Sequence, residues 1–212
     1  MSVISAIQPN PRRPGRFDIL VDHAHCATLS IDAIERLHLA VGSDISGLKE
    51  QVAAEAAGLK VHDRALAMLA FRARSKTELA RSLERKGEDK ALVALAVARL
   101  EEQGLLDDAA FARAFTRAKV LGANQSRRRV QQQLARKGVA REVSTQAIDA
   151  VFEDEGVDQR ALVEAAARKK LRSLGRLEPL VRRRRLYAFL ARRGYDGDDI
   201  RRAMEALKAD LV

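Results

Sequence analysis

The sequence predicts a mainly α-helical protein: three tandem three-helix repeats in an elongated, curved array, preceded by a small N-terminal segment that contains a β-hairpin. Three observations lead there. A five-residue phrase recurs as Leu83–Gly87 (LERKG), Leu134–Gly138 (LARKG) and Leu190–Gly194 (LARRG). With the glycines aligned, apolar residues stand eight and four positions before each: Leu79 and Leu83, Val130 and Leu134, Leu186 and Leu190. They return nine, ten and thirteen positions after it: Ala96, Val97 and Leu100; Ala147, Ile148 and Val151; Ala203, Met204 and Leu207. Apolar pairs at i and i+4 mark one face of a helix, and the fixed offset between phrases marks a repeat. A single such phrase is only a well-made helix stop, with cations in the last turn and glycine in the left-handed position beyond it.

Residues 1–15, rich in Pro and Arg, read as a flexible tail. In residues 16–63, RFDILVD and HCATLSID are two apolar alternations joined by HAH and read as a hairpin, with no Gly or Asn to signal a tight turn. A short helix follows, capped by Ser30 or Asp32 and stopped at Gly42, and another runs from about Gly47 to Gly58. The first repeat, 64–108, holds helices over 64–74, 76–86 and 89–103, and Ser75 with Glu78 forms a capping box. The second, 109–157, is opened by Asp107 or Asp108 as cap and continues with helices over 127–137 and 141–154. The third, 158–212, has helices over 158–173, 179–193 and 198–209, with Pro179 suited to a first helical turn.

The formal charge of +10 is unevenly spread. Residues 1–64 carry a net −1, 65–108 a net 0, 109–157 a net +4 and 158–212 a net +7. A basic C-terminal half fits a polyanion or an acidic partner, as well as a merely solubilising surface. With Val130 and Leu134 turned inward, helical geometry turns Arg128, Arg129 and Arg136 outward, and the matched residues Arg184, Arg185 and Arg192 stand outward in the third repeat. The last turns add Lys137 and Arg193. The matched positions in the first repeat are Thr77, Glu78 and Arg85. Guanidinium forks suit phosphate and carboxylate alike. These eight cations are the candidate binding residues, and a solvated face is the alternative account of them.

Other chemistry finds little support. No phosphate-binding glycine loop, zinc-protease helix or nucleophile elbow is present, so neither an enzyme nor a cofactor is expected. His23, His25 and Cys26 cluster, but Cys26 would face away on a strand and no second set of ligands exists. A lone cysteine excludes an internal disulfide framework, and no apolar run approaches a membrane span. The start lacks a secretory pattern, so a soluble cytoplasmic protein is expected. Aromatics at 4% argue against a base-stacking platform, leaving phosphate as the expected DNA contact. A helix-turn-helix transcriptional regulator is the alternative function, though the third helix of each of the first two repeats is too apolar or too acidic for a groove.

ALAMLAFRARSKTELARSLERKG, LEEQGLLDDAAFARAF and RRRVQQQLARKG together resemble the RecX family of bacterial RecA regulators. The marks are Arg72, Arg74 and Ser75; Glu78 and Leu79 with Leu83, Lys86 and Gly87; and Asp107, Asp108 and Phe111. Two departures are visible: Glu88, where the family often has an aromatic, and Ser126, where it often has Gly. The resemblance implies a non-enzymatic monomer that binds RecA protomers in a nucleoprotein filament on single-stranded DNA. It would limit filament growth, recombination and co-protease activity, and so act in DNA repair and the SOS response.

Overall fold

The computed structural model describes residues 2–208. Its contacts gather into two units, one taking the chain through Ala73 with Leu79–Leu105, the other Arg74–Glu78 with the chain from Leu106 onward.

The first unit begins with a three-stranded antiparallel sheet of order β1-β2-β3: β1 Ile4–Pro9, β2 Arg16–Val21 and β3 Ala24–Ser30. β1 corrects the expectation of a loose tail over residues 1–15. Its stability comes from pairing with β2, with Ile7 opposite Ile19 and Pro9 opposite Phe17, and strand formation of this kind depends on the partner more than on intrinsic propensity. Ile4, Ile19, Ala27 and Leu29 form the buried face. The β2–β3 turn is tight despite lacking Gly or Asn: Asp22 and His23 both take positive φ, 48° and 68°. β1 holds that conformation, since the Asp22 amide donates to the Val3 carbonyl (3.0 Å) and the His23 amide to the Ser5 hydroxyl (2.9 Å). His23 therefore sits in the turn. His25 lies 3.4 Å from Asp18, whose carboxyl is held below its usual range by hydrogen bonds from Asn10, then Thr28, and by His25.

α1, Ile31–Arg36, is capped by Ser30 but stops well before Gly42, because His38 (φ 51°) takes the left-handed turn. α2 runs unbroken from Lys49 to Phe71. This corrects the expected break near Gly58 and the boundary between residues 63 and 64, both of which fall inside one helix. Glycine costs a helix interior about 1 kcal/mol. The burial of Val52 before Gly58, and of Val61 and Ala65 after it on another side of α2, outweighs that cost. Arg36 pairs with Glu55 (2.6 Å) and Arg16 with Asp63 (2.6 Å), tying both halves of α2 to the sheet and α1. α3 (Lys76–Glu84) and α4 (Lys90–Glu102) follow, and Glu88, which lies between them, pairs with Arg64.

His62 on α2 is only 7% exposed. Burial, aided by Arg99 and Arg16 against the opposing Asp63, pushes its pKa below the ordinary 6.5. On acidification the unfolded chain therefore takes the proton first. Stability present above pH 6.5 is lost as pH falls towards the folded-state pKa. Urea unfolding between about pH 8 and 5 should show this loss, and His62→Leu should flatten that dependence. An unchanged slope would assign the pH effect to other groups.

The second unit holds α5 (Asp108–Arg117), a π-turn over Ala118–Gly122, α6 (Arg127–Arg136), α7 (Arg141–Asp154), α8 (Gln159–Leu171), α9 (Pro179–Arg192) and α10 (Gly197–Ala206). α10 ends before the expected residue 209, which lies outside the described residues. The repeat phase holds throughout. Leu79, Leu83, Val130, Leu134, Leu186 and Leu190 are all fully buried, and Ala96, Ala147, Ala203, Leu100, Val151 and Leu207 are buried beside them.

Candidate partner-binding surface

α6 begins at Ser126, whose hydroxyl oxygen accepts from the Arg129 amide (3.2 Å), and ends with Gly138 at φ 77°. Val130 and Leu134 anchor one side in the core. Arg128 and Arg136 are exposed on the other, and Arg129 is half-buried. α9 repeats the pattern: Leu186 and Leu190 are buried, and Arg184, Arg185 and Arg192 are exposed. Among the described residues no carboxylate pairs with Arg128, Arg129, Arg184, Arg185 or Arg192.

Their placement works against helix stability. Arg127, Arg128 and Arg129 crowd the first turn of α6, at the positive end of its dipole, with no acidic residue there. Among the described residues only Arg127 of the three is compensated, by an ion pair with Asp149 and by stacking 3.9 Å over the Phe152 ring. Arg128 and Arg129 gain nothing comparable, and residues that break a local rule uncompensated are where function is expected.

Lys137 and Arg193 also have partners inside the chain. They form joints between successive repeats. Ser75, the N-cap of α3, accepts from the Glu78 amide (3.1 Å) and donates its hydroxyl proton to the Lys137 carbonyl. The Lys137 amine pairs with Glu78 (3.0 Å) and lies over the rings of Phe111 and Phe115. The Thr77 hydroxyl donates to the Gly138 carbonyl (3.1 Å), and Gly138 packs so closely that a Cβ there would fall 2.3 Å from the Thr77 Cβ. The second joint uses the matched residues. The Ser126 amide donates to the Arg193 carbonyl (3.2 Å), and a Cβ on Gly194 would fall 2.6 Å from the Arg129 Cβ. Tyr195 secures it by donating to the Asn124 carbonyl (3.0 Å), and burial raises the phenol pKa. The Arg193 guanidinium stacks 4.5 Å from the Phe189 centroid.

The second joint brings the last turn of α9 against the first turn of α6. The Arg193 carbonyl and Gly194 thus lie against Ser126 and Arg129. Sequence periodicity places each arginine on its helix face but contains no sign of this end-to-end contact. Beside the joints, a groove of about 510 Å³ lies between α9 and α10, lined by Arg183, Tyr187, Arg201, Arg202, Met204 and Glu205. It was not foreseen, because Asp198 and Asp199 pair with Arg201 and Arg202 and mask their charge in the sequence. The exposed side of α7 carries Glu142, Asp149, Glu153 and Asp154, a poor surface for phosphate. Asp107 caps α5, and Asp108 accepts from the Lys76 amide (2.8 Å), so both adjacent carboxylates hold helix starts.

Among the described residues no group of three His, Cys, Asp or Glu side chains is placed to hold a metal ion, and no helix is long and apolar enough to cross a membrane.

Comparison with known proteins agrees with the repeat architecture. Family models match residues 107–148, as the second three-helix domain of RecX, and 158–204, as the third. A regulatory protein RecX from Chlorobaculum tepidum is 36% identical over 143 residues, covering 68% of this chain and 85% of the relative. One from Halorhodospira halophila is 38% identical over 159 residues, covering 74% and 94%. Two solved structures share the fold. A crystal structure of regulatory protein RecX has a TM-score of 0.74 at 20% identity, covering 99% of this chain and all of that one. RecX from Lactobacillus salivarius has a TM-score of 0.57 at 16% identity, covering 72% and 97%. With its repeats, its capped joints and relatives of this similarity over most of their length, the chain belongs to the RecX family of regulatory proteins.

Proposed function

We propose that this protein is a cytoplasmic, monomeric regulator of RecA. It binds RecA filaments on single-stranded DNA and limits their growth, and with it recombination, SOS co-protease activity and the DNA repair that depends on them. The carrying observation is the pair of matched, outward-facing arginine sets on α6 and α9, of which Arg128, Arg129, Arg184, Arg185 and Arg192 have no carboxylate partner among the described residues. Tandem units that repeat one surface suit a partner that is itself periodic. Guanidinium groups serve both the phosphates of such a filament and acidic patches on its protomers. Single-stranded DNA is then held mainly through phosphates, and no cofactor takes part.

The test is RecA's single-strand-dependent ATPase and strand exchange, followed as the protein is added, alongside co-sedimentation with filaments, bare single-stranded DNA and duplex DNA. Substoichiometric inhibition and preferential pelleting with filaments are expected. Nucleotide hydrolysis by the protein alone, no effect at any ratio, or a strong preference for one duplex sequence would overturn the reading.

A further inference from the structure

The three copies of the glycine phrase are built alike, but only two are occupied. Each closes its helix with the same bonds. Gly87 donates to Glu84, Gly138 to Ala135 and Gly194 to Ala191, all at 2.9 Å, and the following amide returns to Leu83, Leu134 or Leu190. All three glycines have similar positive φ: 84°, 77° and 87°. At Gly138 and Gly194 the space beyond the Cα is filled by the start of another helix. At Gly87 a Cβ would meet nothing within 4 Å. Correspondingly, Arg85, Lys86 and Gly87 are exposed, whereas Lys137, Gly138, Arg193 and Gly194 are half-buried. Among the described residues no donor bonds the Lys86 or Gly87 carbonyl.

We infer that the end of α3, from Arg85 to Gly87, is a docking site for the N-terminus of a helix in another protein, one capped by Ser or Thr and carrying Glu at its third helical residue. The first joint defines that occupant. There a serine hydroxyl donates to the lysine carbonyl, a small residue two positions on packs against the glycine, and the third-residue glutamate pairs with the lysine amine. Lys86 presents the same amine and carbonyl to solvent. A charged pair with partly desolvated hydrogen bonds favours an acidic third residue over a neutral one.

The chain does not supply this occupant from a second copy. Ser75 and Ser126 are already engaged, Ser30 caps α1 with Ala33 and not Glu at the third helical residue, and the matched position in the third repeat is Arg182, whose guanidinium donates to the Leu177 carbonyl (3.0 Å). α9 opens on Glu178 without a side-chain cap bond. α4, α5, α8 and α10 are capped by Asp89, Asp107, Asp158 and Asp196, whose carboxylates have no proton to donate to a carbonyl.

The probe is a lactam-stapled helical peptide with the chain's own residues 74–84, RSKTELARSLE, titrated into the ¹⁵N-labelled full-length protein. No recombinase or DNA is present, so the outcome is independent of the proposed regulation. The amides of Lys86, Gly87 and Glu88 should shift saturably, and those of Gly138 and Gly194 should stay in place. A peptide with Ser75→Ala and Glu78→Lys should bind at least about tenfold more weakly, a loss of roughly 1.4 kcal/mol. In the protein, Gly87→Asn tolerates the positive φ yet fills the docking space, and Lys86→Glu reverses the charge; both should abolish the response. No saturable shift at Lys86–Glu88 up to about 1 mM peptide would overturn the inference. So would equal shifts with the doubly substituted peptide, or shifts confined to Gly138.

Discussion

Alanine at Gly138 or Gly194 should destabilise the protein by about 3 kcal/mol, whereas the same change at Gly87 should cost about 1 kcal/mol. All three glycines hold left-handed conformations, which penalise a Cβ by about 1–2 kcal/mol. Only two have a neighbouring helix in the way. At Gly138 the new methyl would meet the Thr77 Cβ, Oγ1 and Cγ2 at 2.3–2.5 Å. A side-chain rotation cannot move a Cβ, so the start of α3 would have to shift. At Gly194 the obstacles are the Arg129 Cβ and the Ser126 Oγ, both at 2.6 Å, with the Arg129 amide nitrogen at 3.0 Å behind them. Overpacking of this kind adds about 1–3 kcal/mol. With roughly 2–4 °C of melting temperature per kcal/mol in a chain of this size, calorimetry should find losses of roughly 6–12 °C at the joints and roughly 3 °C at Gly87. Equal losses at all three would mean that the joints contribute nothing beyond the local turn.

Alanine at all six of Arg128, Arg129, Arg136, Arg184, Arg185 and Arg192 should leave the fold nearly intact while removing most of the binding to single-stranded DNA. Each site is exposed or half-exposed, where a substitution usually stays within about 0.5 kcal/mol. At Arg129, alanine also keeps the Cβ that packs against Gly194. Relief of the positive first turn of α6 offsets part of whatever is lost. If all six touch phosphate, the slope of log K against log salt should become shallower by about 4, since each lost contact removes roughly 0.7 for single strands. The loss should be uniform across sequences. If the six meet carboxylates on RecA, filament binding should fall while bare DNA binding and its salt slope stay constant. The control removes six cations from the first unit: Arg12, Lys49, Lys60, Arg81, Lys90 and Arg99. A six-arginine variant that keeps both filament and DNA binding would make the recurrent arginines a solvated face.

The helical phase of this protein is legible in its sequence because it is a short-range property. Leu79 and Leu83, Val130 and Leu134, and Leu186 and Leu190 lie four residues apart, so helix geometry alone turns each pair to one side. The cap at Ser75, and that of α5 narrowed to Asp107 or Asp108, read equally well, since a cap bonds amides two or three residues away. The outward faces of Arg128 and Arg184 follow from the same periodicity. Tertiary structure decided the rest. β1 exists because Ile7 finds Ile19, and the Asp22–His23 turn closes because Val3 and Ser5 receive its amides. α2 passes through Gly58 because burial on either side outweighs one poor helix former. The joints bond Ser75 to Lys137 and Ser126 to Arg193, residues more than sixty positions apart. That contact gives Lys137 and the Arg193 backbone a structural role that the local pattern does not show. A local pattern carries no information about which helix end meets which, because that is settled only when distant parts of the chain compete for the same carbonyl and the same space above a glycine.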